Sequence, residues 1–407
     1  MPRLRASIDL QPMLHEGRQA YVVSDRLQIA EDSLVLSPQL AAMLSFFDGK
    51  RSTGQIGTAF AQHYGQPLPS ESIVDLVNAL DEACMLDNPR GQHAVQKALN
   101  AYRHAPQRTP ICAGTSYPDD KARLKRKLND YISQSSNTNG QSSMVNGQSP
   151  TVRAILSPHI DYQRGGRVYA SAWKHIKNEA NAAELVVIIG TDHYCGALFT
   201  LTQQNYATPY GTLPTAHGLV DGLAEAVGRD AAFENELYHT IEHSLELPLV
   251  WLQHMRNGNP VEIVPILVGS FHPFYRSAAG PLGDKRITRF LDALQTLTQR
   301  RRTLVIASGD MAHVGPAFEG EPLNETGKAQ LKRDDDDLIS HLNAGSAEGF
   351  FADIAHTRNK NNVCGTAPFY LTLKHLDSVQ GHTVDYDVCP ADEQNTSVVS
   401  ICGTLMS

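Results

Sequence analysis

The chain has 407 residues, 41% of them hydrophobic and 19% charged, the proportions of a globular protein with a substantial core. Its formal net charge of −8 excludes the basic footprint of a nucleic-acid binder. The N-terminal MPRLRASIDLQPML lacks the apolar stretch of a signal peptide, and the run LVVII at 185–189 falls well short of the ~20 residues of a membrane span.

The six cysteines (Cys84, Cys112, Cys195, Cys364, Cys389 and Cys402) are scattered and form no CxxC. A reduced, cytoplasmic protein without membrane or nucleic-acid partners is therefore expected.

Residues 1–95 predict a small winged-helix-like α+β domain. AYVVSDRLQIA reads as a hairpin of two short strands. LSPQLAAMLSFFDGKRS reads as a helix with Ser37 at its N-cap, ending at Asp48-Gly49. ESIVDLVNALDEACML carries Ile73, Leu76, Val77, Leu80 and Leu86 at helical spacing. Residues 96–150 are expected to connect this domain to the next. They include the polar, low-complexity SQSSNTNGQSSMVNGQS at 133–149, which reads as a flexible linker.

From residue 151 to 407 the pattern becomes α/β. VRAIL (152–156), ELVVIIG (184–190), VEIVPILVG (261–269) and TLVIASG (303–309) are short and apolar on both faces. Strands covered by helices on both sides read this way. Amphipathic segments such as GLVDGLAEAVG lie between them, so a layered α/β domain with a central sheet flanked by helices is predicted. RDDDD at 333–337 is expected to decorate the first turn of a helix.

Three of these strands run into chemistry. The first leads to Ser157-Pro158-His159, with Tyr162 just beyond. The second leads to Asp192 and His193, and the fourth to Asp310 and His313. Ligands of open α/β sheets bind beyond the carboxyl ends of the strands. IEHSLELPLVWLQ is expected to open an amphipathic helix with Glu242, His243 and Glu246 at its start and Leu245, Leu249 and Leu252 on its apolar side, so that His243 can face the same crevice. Cys364 precedes a further helix, where the dipole favours a thiolate. Cys195 is read as a buried thiol. Imidazoles, carboxylates and a thiolate together describe a site for iron, copper or zinc, too soft for magnesium or calcium.

The motifs SPHIDYQRGG, GTDH, EHSLE, SGDMAH and CGT resemble, in collinear order over residues 108–407, those of the Memo family, relatives of the class III extradiol dioxygenases. AGTSYPDD (113–120) and ATPYGTL (207–213) extend the likeness. The resemblance implies His159, His193 and Cys364 as metal ligands. Asp310, His313 and His243 would serve as catalytic groups beside them, and Glu242, Asp192 and Tyr162 as pocket residues. It implies iron(II) first, with copper or zinc as alternatives, and an unidentified small-molecule substrate. It also implies association with a radical-SAM system of the AmmeMemoRadiSam type.

Ile160, Asp161, Asp192 and Thr366 depart from the family pattern, the last standing where the family has arginine. The N-terminal segments YVVSD, LSPQLAAMLSFFDGKRS and LVNALDEACMLD resemble PqqD, a peptide-binding module. Three functions compete on these residues: a dioxygenase-like oxidoreductase, a zinc-type hydrolase, and a non-catalytic peptide-binding scaffold.

Overall fold

A computed structural model describes residues 1–135 and 151–407. Most of the low-complexity 133–149 stretch lies outside the described residues. The chain divides into two compact units, Met1–Ala105 and Pro106–Ser407.

In the first unit, β1 (Ile8–His15), β2 (Arg18–Asp25) and β3 (Leu34–Leu36) form an antiparallel sheet in the order β1-β2-β3. Helices α1 (Pro38–Met43), α2 (Thr53–Tyr64), α3 (Ser70–Glu82) and α4 (Pro89–His104) follow. Ser37 caps α1 by accepting from Leu40 N. The hairpin lies one strand earlier than AYVVSDRLQIA predicts, because its turn is Glu16-Gly17, both at positive φ. YVVSD is its second strand. The residues after it are tied into a turn by Asp25, which accepts from the backbone of Leu27, Ile29 and Ala30. Val23, Met43, Ile56, Phe60, Leu76 and Leu80 form this unit's core. Because α4 is a single helix running through position 95, the division falls ten residues later, after Ala105.

The second unit begins with α5 (Lys121–Gln134). It continues through β4 (Ala154–Ser157), α6 (Tyr162–Trp173), α7 (Lys177–Ala182) and β5 (Leu185–Thr191). Next come β6 (Phe199–Leu201), β7 (Tyr206–Thr208), β8 (Gly211–Leu213), α8 (His217–Val227) and α9 (Arg229–Phe233). They are followed by α10 (Glu246–Met255), β9 (Glu262–Val268), α11 (Lys285–Thr298), β10 (Thr303–Ser308) and β11 (His313–Val314). The chain closes with α12 (Glu325–Asn343), α13 (Ala347–His356), α14 (Thr366–Leu376), β12 (Gly381–Pro390) and β13 (Val398–Met406).

The main sheet has the order β11-β13-β4-β10-β5-β9-β6, with β12 paired to β13. Its centre, β4-β10-β5-β9, is parallel. These are the four strands the sequence predicts. β13 and β6 flank them in antiparallel orientation. Along β5, Leu185, Val187 and Ile189 enter the core on one face, while Val186 and Ile188 enter the core on the other. Helices therefore cover both faces, which explains the unbroken apolar runs.

The parallel register sets the site. Ser308 pairs with both Ser157 and Gly190, so β4, β10 and β5 end side by side. At the end of β10 the backbone must pass close to the start of α14. A Cβ on Gly309 would lie 2.3 Å from Gly365 Cα. Only glycines allow this approach, and it draws Cys364 against the strand ends.

RDDDD occupies the middle of α12 rather than its first turn. The helix starts earlier, at Asn324, whose side chain caps Gly327 N. Asp335 is fully buried against β13. Tyr386 donates to its Oδ2 at 2.7 Å, and its Oδ1 has no partner. Burial, only partly opposed by the nearby Ser400 hydroxyl and by the Tyr386 hydrogen bond, leaves the pKa raised to about 6 from 3.8. The folded chain therefore holds a proton there between about pH 4 and 6 that the unfolded chain has released. Stability falls as pH rises through that window, by about 3 kcal/mol for a shift of this size. Asp335→Asn should lose this slope. Urea unfolding of both proteins at about pH 4.5 and 7 should show the variant gaining on wild type at the higher pH. A gap independent of pH would show that Asp335 is ionised throughout.

Candidate metal centre

The ends of β4, β5 and β10 deliver His159, His193 and Asp310. The segment before α14 delivers Cys364, and the turn before α10 delivers Glu242 and His243. One ligand atom from each of His159, His193 and Cys364 lies within 4.8 Å of the other two. Cys364 Sγ is 3.2 Å from His159 Nε2. The rings of His159 and His193 are 5.0 Å apart, and those of His193 and His243 stack at 4.8 Å. The His193 and His243 side chains are 27% and 33% exposed, whereas His159 is buried, so the cluster opens to solvent on their side.

Hydrogen bonds dictate which nitrogen each imidazole offers. Ser308 Oγ donates to Ser244 O, so toward His159 it can only accept. His159 Nδ1, 3.3 Å away, must carry the proton, and Nε2 points at Cys364 with its lone pair free. His193 Nδ1 lies 3.1 Å from both oxygens of Glu242, and His243 Nδ1 lies 3.2 Å from Oε1. Each therefore turns its Nδ1–H to the carboxylate and its Nε2 outward. A carboxylate partner on the far nitrogen is the usual way a metal-binding histidine is oriented.

Glu242 is buried, and the backbone N–H groups of His193 and Ser244 complete its set of donors at 3.0 and 2.9 Å. Burial works against its ionised form, but His193 and His243 outweigh it and hold the carboxyl well below the usual range. Burial likewise works against the charge on His193, and Glu242 with Cys364 overcomes it to raise that pKa well above the ordinary value. His159 goes the other way, because burial and then the neighbouring imidazoles keep it neutral.

Asp310 is 2% exposed, and its Oδ1 accepts from His159 N at 2.8 Å. Burial raises its pKa. Its backbone N–H points to Cys364 Sγ at 3.2 Å. His313 Nδ1 faces Asn362 O at 3.2 Å, and its own N–H donates to Asn361 O. The loop supplying those carbonyls carries Arg358, Asn359 and Asn362 at positive φ. Asp310, His313 and Cys364 form a second set of donors within 4.8 Å, and His193, Glu242 and His243 a third.

Several expectations change here. Cys364 precedes the N-cap of α14 as predicted, but burial pushes its thiol pKa up against the helix dipole and the opposing hydrogen bond from His193. The turn Glu242–Leu245 is not helical, since Glu242 is committed to His193 and to Ser244 N. The helix begins at Glu246 and is buried on every side rather than amphipathic. Asp192 serves its own loop, accepting from Tyr194 N, Cys195 N and Cys195 Sγ. Burial and that carboxylate push the Cys195 thiol up to about 12. Tyr162 stacks among Tyr117, Tyr169 and Trp251 in the core and donates to Leu247 O at 2.5 Å.

Sequence reasoning missed Ser308 and Ser244, the pair that fixes His159. The signal was a serine closing a strand whose residues 304–307 are all apolar. A small cavity of about 180 Å³ adjoins Cys364, bounded by Thr191, Asp192, Asn359, Asn362 and Thr366.

A family model for Memo-like proteins matches residues 108–405, and the chain belongs to that family. A MEMO1 family protein of Aquifex aeolicus is 26% identical over 95% of both chains, a span that takes in the N-terminal unit. A MEMO1 family protein of Methanopyrus kandleri is 26% identical over 69% of this chain and 91% of its own. The Protein memo-1 homolog of Caenorhabditis elegans is 24% identical over 81% and 82%. Among the described residues, no helix is long and apolar enough to cross a membrane.

Ser308→Ala should leave the buried His159 Nδ1–H without a partner. The expected cost is about 1–3 kcal/mol of stability, with loss of the hydrogen-bonded Nδ1–H signal in ¹⁵N-edited NMR. Retention of that signal would show that another group orients His159.

Proposed function

We propose that the second unit is a redox metal centre in which His159, His193 and Cys364 bind one ion, iron(II) in preference to copper. The observation that carries this reading is the donor set. Two imidazoles are held so that Nε2 is available, and a thiol lies within 4.8 Å of both. Imidazole with thiolate suits iron, copper and zinc. Bound iron(II) would supply redox chemistry with dioxygen and a small chelating substrate, as in the class III extradiol dioxygenases that the family resembles.

The chain's own residues then divide the remaining work. Glu242 orients His193 and His243 through their Nδ1–H groups. His243, half-buried at the mouth of the cluster, exchanges protons with a substrate there, and His313 and Asp310 do so beside Cys364. Burial keeps a proton on Asp310 more readily than on an ordinary carboxylate, which suits an acid role. A thiolate ligand where the dioxygenase relatives use a carboxylate makes ring cleavage the less natural outcome.

The N-terminal unit acts as a PqqD-like winged-helix module. Among the described residues its β3 pairs only with β2 and leaves an edge to which a peptide strand can add. The partner is a peptide or a radical-SAM protein of an AmmeMemoRadiSam-type system, and the setting is the cytoplasm. A zinc hydrolase is the second reading, supported by the same thiol and imidazoles, with zinc lowering the pKa of bound water.

Elemental analysis after anaerobic purification tests the proposal on wild type, Cys364→Ser and His159→Ala. About one iron or copper per chain, lost in both variants, is the expected result. Zinc retained equally in wild type and Cys364→Ser would remove Cys364 from the site and favour the hydrolase. A folded wild-type protein that takes up no metal would overturn both readings.

A further inference from the structure

Arg108 and Glu246 form an ion pair that is 1% and 0% exposed. Burying such a pair is costly, and apolar replacements of similar volume are often at least as stable. Stability alone therefore does not account for its presence. Its connections indicate another purpose.

Glu246 opens α10 and gathers the lead-in segment. Its carboxylate accepts from Arg108 Nη1, from Tyr117 OH at 2.5 Å, and from the N–H groups of Ile111 and Cys112 at 2.9 and 2.8 Å. Arg108, fixed by this anchor, also reaches the loop that carries the site. Nε donates to His239 O at 2.7 Å, and Nη2 donates to Glu242 O at 2.8 Å. Its guanidinium lies 5.0 Å from the centre of the Tyr206 ring, and the Tyr206 hydroxyl contacts His239 Nδ1 at 2.5 Å. The backbone of Glu242 is thus gripped from one side, while its side chain reaches His193 and His243 on the other.

We infer that Arg108 and Glu246 are positioning residues for the metal centre. The buried pair sets the height of the 239–245 loop, and so places the Glu242 carboxylate where it holds both imidazoles by Nδ1–H. The planar fork matters because two carbonyls and a carboxylate are bound at once, which a lysine ammonium cannot reproduce. The inference adds to the proposed function by assigning Arg108, which none of the quoted site motifs contains, and by giving Glu246, the last residue of EHSLE, a positioning role.

The test uses the full chain with two variants, Arg108→Lys and the charge-neutral pair Arg108→Gln with Glu246→Gln. The neutral pair avoids leaving one charge buried alone. Three quantities are read: the thermal midpoint, the hydrogen-bonded His193 Nδ1–H signal in the metal-free protein, and Zn²⁺ affinity by competition with a chelator. The expected result is a folded protein in which the Nδ1–H signal is broadened or lost. Zn²⁺ binding should weaken by about 10–100-fold, the usual effect of losing an outer-sphere partner. Arg108→Lys should shift in the same direction.

A lowered midpoint with an unchanged His193 signal and unchanged affinity would reduce the pair to a structural role and overturn the inference. If wild type binds no Zn²⁺, the metal-centre reading fails, and the NMR signal still decides whether the clamp orients His193.

Discussion

The buried carboxylate of Glu242 is the constraint on which the site depends. An isolated charge in a protein interior is prohibitively costly, so it must be surrounded by donors. Two of its donors come from the end of β5 and two from the turn before α10. Satisfying one carboxylate therefore brings two distant parts of the chain together. It also decides which nitrogen each imidazole presents to the cluster. The geometry of the candidate ligands is thus a by-product of electrostatic necessity.

A second buried carboxylate, Glu246, lies four residues further on, at the start of α10. Arg108 holds that carboxylate in a buried ion pair. The sheet provides the other half of the frame. Parallel pairing aligns the ends of β4, β10 and β5, and the Gly309–Gly365 contact brings Cys364 up to them. A rigid sheet edge, a glycine contact and a network of buried charges together hold donors from five separate segments.

Much of this was legible in the sequence. The four central strands announced themselves because burial on both faces requires unbroken apolar runs. His159, His193, Asp310 and Cys364 were recognisable because their positions relative to those strands and to α14 are local properties. The flanking antiparallel strands were not anticipated. VVSICGTLM of β13 has the composition of a strand, but its place beside β4 rests on a pairing between the far end of the chain and residue 154. RDDDD was misplaced because the cap that starts α12 lies nine residues earlier, and the burial of Asp335 depends on β13 packing behind it.

The residues that position the donors divide along the same line. Residue type and local spacing determined the strands, the candidate ligands and the family, because motif and periodicity are carried by neighbours in sequence. Only the tertiary structure decided that Glu242 serves two histidines rather than opening a helix. It alone decided that Asp192 turns back to its own loop, that Tyr162 belongs to the core, and that Ser308 and Arg108 support the site. All but the Asp192 turn, which closes on bonds two and three residues long, depend on a hydrogen bond between segments tens to more than a hundred residues apart. Such bonds are selected by what burial leaves unsatisfied, and burial is a property of the folded chain.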